Sequence, residues 1–224
     1  MELAILYQDN RILVCLKPAG VRSTDEPGGL PELLRHQLGD ETACLRTVHR
    51  LDQVVGGVMV LARSRKAAQL LSQQITDHQF TKEYLAVVEG TLPDPEGTFT
   101  DLLGRDKARR LTYVAQAPGK EVREARLGYR LLEQRDGLSL VAVRLFTGRT
   151  HQIRCQFSAR GLPLVGDQKY GAAARNMEGI ALWSHLLAFQ HPQTGQDLRF
   201  EAPPPKAWPW TQFPRLWPET DVTK

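Results

Sequence analysis

The sequence predicts an α+β fold: a largely antiparallel mixed sheet with flanking helices. Three observations lead there. Short runs rich in β-branched and aromatic residues outnumber helical patterns. From residue 98 to 146 these runs follow one another with no helical segment between them, unlike the strand–helix alternation of a parallel sheet. With 224 residues, 42% of them hydrophobic, the chain can bury a substantial core.

Taken in order, "RILVCLKPAG" is an apolar run stopped by Lys17-Pro18 and Gly20, hence a strand ending in a turn. "GLPELLRHQLGD" carries Leu30, Leu33, Leu34 and Leu38 at helical spacing, with Gly39 placed to end the helix. Val58 to Ala62 form an unbroken apolar run, the pattern of a strand buried on both faces. Ser64 can then cap a helix over 65–79 that turns Ala67, Leu71 and Ile75 to one side. "KEYLAVVEG" (82–90) is a further strand, and Pro93, Pro95 and Gly97 mark a loop. The strands of 98–146 end in "LSLVAVRLF", where Leu138, Leu140 and Ala142 alternate with more polar positions. "RTHQIRCQFSARG" (149–161) reads as a helix with Ile153 and Phe157 inward and Gly161 at its end. "LWSHLLAFQHP" and "DLRFEAPPP" are late strands. The Pro/Trp-rich tail 203–224, with Trp208, Trp210 and Trp217, is expected to lie extended against the body. With no repeat and no linker, residues 1–224 are expected to form a single domain.

Several function classes drop out. The N-terminus lacks a basic segment followed by an apolar one, and no apolar run approaches the roughly 20 residues that span a bilayer. No membrane association is expected. Cys15, Cys44 and Cys155 are far apart and form no C-x-x-C, which suits a reducing cytoplasm. The six histidines form neither H-x-x-x-H nor H-E-x-x-H, so no metal is expected. Without a P-loop or G-x-G-x-x-G, a nucleotide cofactor has no support, and without G-x-S-x-G neither has a serine hydrolase. The formal charge is +4, and residues 104–130 more than account for it, with eight lysines and arginines against three acids. That segment is either a solvated basic hairpin or a surface for polyphosphate or nucleic acid.

What remains is charge at element boundaries. His49, Arg50 and Asp52 stand directly before the buried run at 58–62. Arg154 projects from the predicted helix that also carries Arg149 and His151, and Tyr84 sits in a strand beside Lys82 and Glu83. Each has an ordinary structural use. Asp52 can cap a turn or pair with Arg50, Tyr84 can be a core aromatic, and "GRTHQIR" can be an amphipathic basic helix.

Together, however, "HRLD", "KEYLAVVEG", "TGRTHQIR" and "GLPLVGDQKYG", with the opening "KPAG" and the late "HPQTG…FEAPPP", resemble the signature motifs of the RluA-type pseudouridine synthases. The resemblance runs from about residue 5 to 205 in the family's order. It departs after H-R-L-D, where the family usually reads x-x-Thr-Ser-Gly and this chain has Gln53, Val54, Val55, Gly56 and Gly57. Two hydroxyls expected near the nucleophile are therefore absent, which implies altered tuning around Asp52 with the chemistry kept. No room is seen for the small S4-like RNA-binding domain of several relatives.

The resemblance implies the pseudouridine synthase catalytic fold, with a central active-site cleft, and cofactor-free isomerisation of uridine in a tRNA or rRNA stem-loop. It makes Asp52 the nucleophile, at the ribose or at the uracil ring, and Arg154 its ion-pair partner. Tyr84 becomes the active-site tyrosine, stacking on the uracil, with its hydroxyl a candidate general base. A uridine in a stem must be flipped out, and Arg50 is the candidate to occupy the vacated space. His49 either holds the loop or touches RNA. Lys82, Arg149, His151, Arg105, Lys107, Arg109 and Arg110 are the remaining candidates for RNA contact. A monomer is expected. Two rival readings are a catalytically silent RNA-binding protein on the same fold and a nucleosidase using Asp52 on small substrates.

Overall fold

The computed structural model describes residues 2–216, and one eleven-stranded sheet runs through them. In chain order the strands are β1 (Ile5–Gln8), β2 (Ile12–Lys17), β3 (Arg46–Thr47), β4 (Gly56–Ala62), β5 (Thr81–Glu89), β6 (Glu96–Asp106), β7 (Leu111–Val114), β8 (Arg123–Arg135), β9 (Leu138–Leu145), β10 (Leu182–Gln190) and β11 (Asp197–Glu201). Three helices accompany them: α1 (Leu30–Leu38), α2 (Arg65–Thr76) and α3 (Gln152–Ser158). The sheet order is β1-β2-β4-β10-β5-β9-β8-β6-β7, with β3 added to β4 and β11 to β10. All strand pairs are antiparallel except β4–β10. The predicted α+β class is the observed one.

The central strands are apolar on both faces because both faces are covered. Leu13 and Cys15 of β2, Met59 and Leu61 of β4, Ala86 and Val88 of β5, and Val141 and Val143 of β9 point to one side, into a core with Leu30, Leu34 and Phe157. The alternate residues Ile12, Val14, Val58 and Val60 meet Ala67 and Leu71 of α2 on the other side. The alternation expected in "LSLVAVRLF" is therefore not a buried/exposed one. Ser139 through Val143 are all buried, since β9 lies mid-sheet between β5 and β8. Ser139 is accommodated there by donating its hydroxyl to the Gly90 carbonyl at 2.7 Å.

The two predicted helix ends hold locally. Gly39 adopts φ 65° after α1 and donates its N–H to the Arg35 and His36 carbonyls. The Ser64 hydroxyl accepts the Ala67 N–H at 3.1 Å at the start of α2. That helix stops at Thr76, three residues early, with His78 turned to φ 57°. The segment predicted as a helix over 149–161 is helical only from Gln152 to Ser158. Its first residues are held as a turn by the Gln152 amide oxygen, which accepts the Arg149 N–H (3.0 Å) and the Thr147 hydroxyl (2.8 Å). The tail is likewise not extended. Pro209 and Pro214 preset two short 3-10 turns that bury Trp210 and Phe213 against Leu85, Val87 and Leu140. Trp217 lies outside the described residues. No helix among them is long and apolar enough to cross a membrane.

The parallel β4–β10 seam fixes where the candidate site forms, because the loop carrying Asp52 leads straight into it. Gly57 pairs with Ser184 at φ 128°, and a Cβ there would lie 2.3 Å from the Ser184 carbonyl oxygen. The Ser184 hydroxyl donates to the Val58 carbonyl at 3.0 Å, closing the seam. Gly57→Ala meets both a left-handed backbone and a backbone clash, so it is expected to cost at least about 3 kcal/mol, read from the urea midpoint at constant m-value.

Candidate active site

A cleft of about 1150 Å³ opens between the 47–55 loop, β5 and the 144–154 segment. Asp52 lies on its wall with a side chain 27% exposed. Its loop is pinned from below. Ser23 donates its hydroxyl to the Leu51 carbonyl (2.8 Å) and accepts the Leu51 N–H (3.0 Å). Leu51 and Val55 are buried on either side of Asp52. The amine of Lys17, wholly buried, donates to the carbonyls of Pro18 (2.9 Å), Val21 (2.6 Å) and Gln53 (3.3 Å). Burial pulls its pKa down to about 8 although the Asp52 charge works the other way. Ser23 and Lys17 thus hold a turn that lacks the family's two usual hydroxyls.

Arg154 stands beside Asp52, as expected, with Nη1 3.0 Å from Oδ2. It is also gripped by Asp167, Nε to Oδ2 at 2.6 Å and Nη2 to Oδ1 at 2.8 Å. Arg154 and Asp167 are both buried, at 5% and 1% exposure. Burial opposes the guanidinium's charge, but the hydrogen bonds and charge of Asp167, then Asp52, outweigh it and raise its pKa further. The Tyr170 ring underlies it, 5.0 Å from Cζ.

His151 approaches the same carboxylate, Nε2 lying 3.7 Å from Asp52 Oδ2. Its Nδ1 is 2.9 Å from the Tyr170 hydroxyl, which accepts the Thr112 N–H at 2.9 Å. Nδ1 and the Tyr170 hydroxyl share one hydrogen bond, which turns Nε2 toward Asp52. Burial lowers the His151 pKa, against the pull of Asp52 and with the push of Arg154.

Tyr84 lines the cleft and is buried, which suits a stacking wall. Burial first, then the Asp52 charge, push its phenol well above the ordinary range, with Ser184 pulling weakly back. That opposes the expected general-base use. His49 is buried, its Nε2 accepting the Val60 N–H at 3.1 Å, so it ties the loop to β4. Burial, aided by Lys82, lowers its pKa to about 3.

Of the expected RNA contacts, Arg50, Lys82, Arg105, His151 and Arg149 line the cleft. Lys107, Arg109 and Arg110 do not; they sit at the β6–β7 turn, where Lys107 pairs with Glu121 and Arg109 approaches Asp106. Residues 107–110 form the hairpin turn beyond the strand ends, which sets them apart from the Arg105 and Arg126 strand positions in a way a charge count cannot see. The cleft instead recruits Arg126 and Arg144. Arg126 belongs to the basic segment 104–130 although it was not singled out there, and sequence reasoning missed Arg144, along with Asp167, Tyr170 and Lys17. The last three stand in the quoted motifs "GLPLVGDQKYG" and "KPAG", where Asp167 is the only acid in its stretch.

A family model described as RNA pseudouridylate synthase matches residues 11–159. The chain belongs to the RNA pseudouridylate synthase family. Its members are isomerases acting on uridine in RNA, and this chain is one of their catalytic domains. It is 35% identical over 210 residues to an uncharacterized RNA pseudouridine synthase (YhcT) of Bacillus subtilis, covering 91% of this chain and 69% of that protein. It is 34% identical to the ribosomal large subunit pseudouridine synthase D of Xanthomonas campestris pv. campestris, over 92% of this chain and 67% of the other. Among solved structures, human RNA pseudouridylate synthase domain containing 1 superposes with a TM-score of 0.79 at 26% identity, over 96% of this chain and 86% of that one.

Asp167→Asn leaves the buried Arg154 short of one charge and should cost about 3 kcal/mol in the urea midpoint. His49 binds a proton at about pH 3 folded and near 6.5 unfolded. Its neutral burial therefore adds stability above pH 6.5 that is lost as pH falls toward 3. His49→Gln, which keeps an acceptor for the Val60 N–H, should flatten that acid limb of the urea midpoint.

Proposed function

We propose that the site isomerises uridine in a tRNA or rRNA stem-loop through Asp52 as nucleophile, with the target base flipped into the cleft. The observation that carries this reading is the part-exposed Asp52 carboxylate held at 3.0 Å by a buried guanidinium that Asp167 clamps in turn. The contacts from Arg154 and His151 both fall on Oδ2, which leaves Oδ1 to attack.

In the reaction the N1–C1′ bond breaks, the uracil turns, C5 bonds to C1′, C5 loses its proton and N1 gains one. The same carboxylate serves whether it attacks the ribose or the ring. Tyr84 walls the base, while its raised phenol pKa makes the carboxylate, once released, the better acceptor for the C5 proton. Six cations line the cleft without a carboxylate within ion-pair distance among the described residues: Arg50, Lys82, Arg105, Arg126, Arg144 and Arg149. Such a wall suits phosphates, whose binding offsets the few kcal/mol needed to unstack a base. Arg50, near Asp52 and lining the cleft, is our candidate to fill the gap left in the stem. We read residues 1–224 as one catalytic unit, working as a monomer in the cytoplasm and needing no cofactor.

RNA labelled with tritium at uracil C5 tests the chemistry, since isomerisation releases the label. Asp52→Asn should release it at below about one-thousandth of the wild-type rate while RNA affinity stays within a few-fold. Binding without any release by the wild-type protein would favour the catalytically silent reading, and free uracil as product would favour a nucleosidase.

A further inference from the structure

Phe146 is the one large apolar side chain that is both exposed (36%) and on the cleft wall; the others exposed among the described residues, Leu6, Tyr113 and Trp208, lie elsewhere. An exposed phenyl ring gains nothing from water, so its setting is informative. Arg126 places its Cζ 4.9 Å from the ring centroid and Arg144 places its Cζ 5.8 Å away. Neither guanidinium has a carboxylate partner among the described residues. The backbone of Phe146 is tied to β8, and one edge of the ring lies over Gly128. The Phe146 N–H donates to the Arg126 carbonyl at 3.1 Å, and Gly128 lies so close that a Cβ there would touch the ring at 3.4 Å. Phe146 and Arg144 also border a second groove of about 510 Å³, so the ring forms the ridge between two concavities.

We propose that Phe146, with Arg126 and Arg144, is a stacking platform for an unpaired RNA base next to the flipped uridine. Flipping takes a base out of the stack and bares a face of its neighbour. The aromatic ring and the guanidinium planes over it offer π-faces that replace that lost contact irrespective of base identity, and the guanidinium charges meet the flanking phosphates. This inference rests on the reading of the cleft as an RNA site. It adds a preference for targets in loops or at stem ends, where the neighbour can leave its own helix.

The test uses the full chain and two probes that contain no uridine: hexa-adenylate RNA and an abasic ribose-phosphate hexamer of equal charge. Wild type should bind hexa-adenylate roughly 10-fold more tightly than the abasic strand. Phe146→Ala should erase that difference with the salt slope of abasic binding unchanged, and Phe146→Trp should keep it. In the tritium assay Phe146→Ala should raise KM with kcat retained. A base-dependent difference that survives in Phe146→Ala, or is absent in wild type, overturns the platform. If wild type releases no tritium, the isomerase reading falls while the oligonucleotide comparison still decides the platform.

Discussion

A buried guanidinium shared between two carboxylates organises this protein. Arg154 sits too deep to be solvated, and a lone cation there would cost several kcal/mol. Asp167 answers that cost with a bidentate grip, so Arg154 is committed before any substrate arrives. What it offers Asp52 is a single hydrogen bond to one oxygen. The carboxylate is thereby oriented yet still reachable from the cleft. Had both acids gripped the guanidinium equally, Asp52 would have been a structural ion and little else.

The surrounding polar groups extend the same logic. Lys17 spends its three donors on loop carbonyls beneath Asp52, so it shapes the turn and adds positive potential without competing for the carboxylate. Burial works against charge on His151, whose Nε2 faces the Asp52 oxygen that Arg154 already holds. Tyr84 contributes a dry wall. Charge is concentrated at one oxygen pair, and everything near it is arranged to leave one of those oxygens accessible.

Most of the framework could be read from the sequence, for reasons that lie in particular residues. Ser64 and Gly39 act through their own backbone neighbours, and the apolar run at 58–62 declares two covered faces by itself. Asp52 and Arg154 were legible through motifs. The segment before α3 was misjudged because the Gln152 amide competes with helical hydrogen bonding, a side-chain effect that periodicity ignores. Asp167 stayed hidden because its partner is 13 residues away and meets it only once the chain has turned. Of the basic stretch 104–130, Arg105 and Arg126 reach the cleft, while the residues at the β6–β7 tip do not line it.

Thr112 is the quiet joint of this arrangement. Its amide reaches Tyr170 and its hydroxyl reaches the Thr150 carbonyl at 2.9 Å, so the β6–β7 arm is stitched on both sides of His151. An arm attached this way cannot swing without dragging the imidazole along. Any displacement of that outer hairpin is thus carried to the imidazole that faces Asp52.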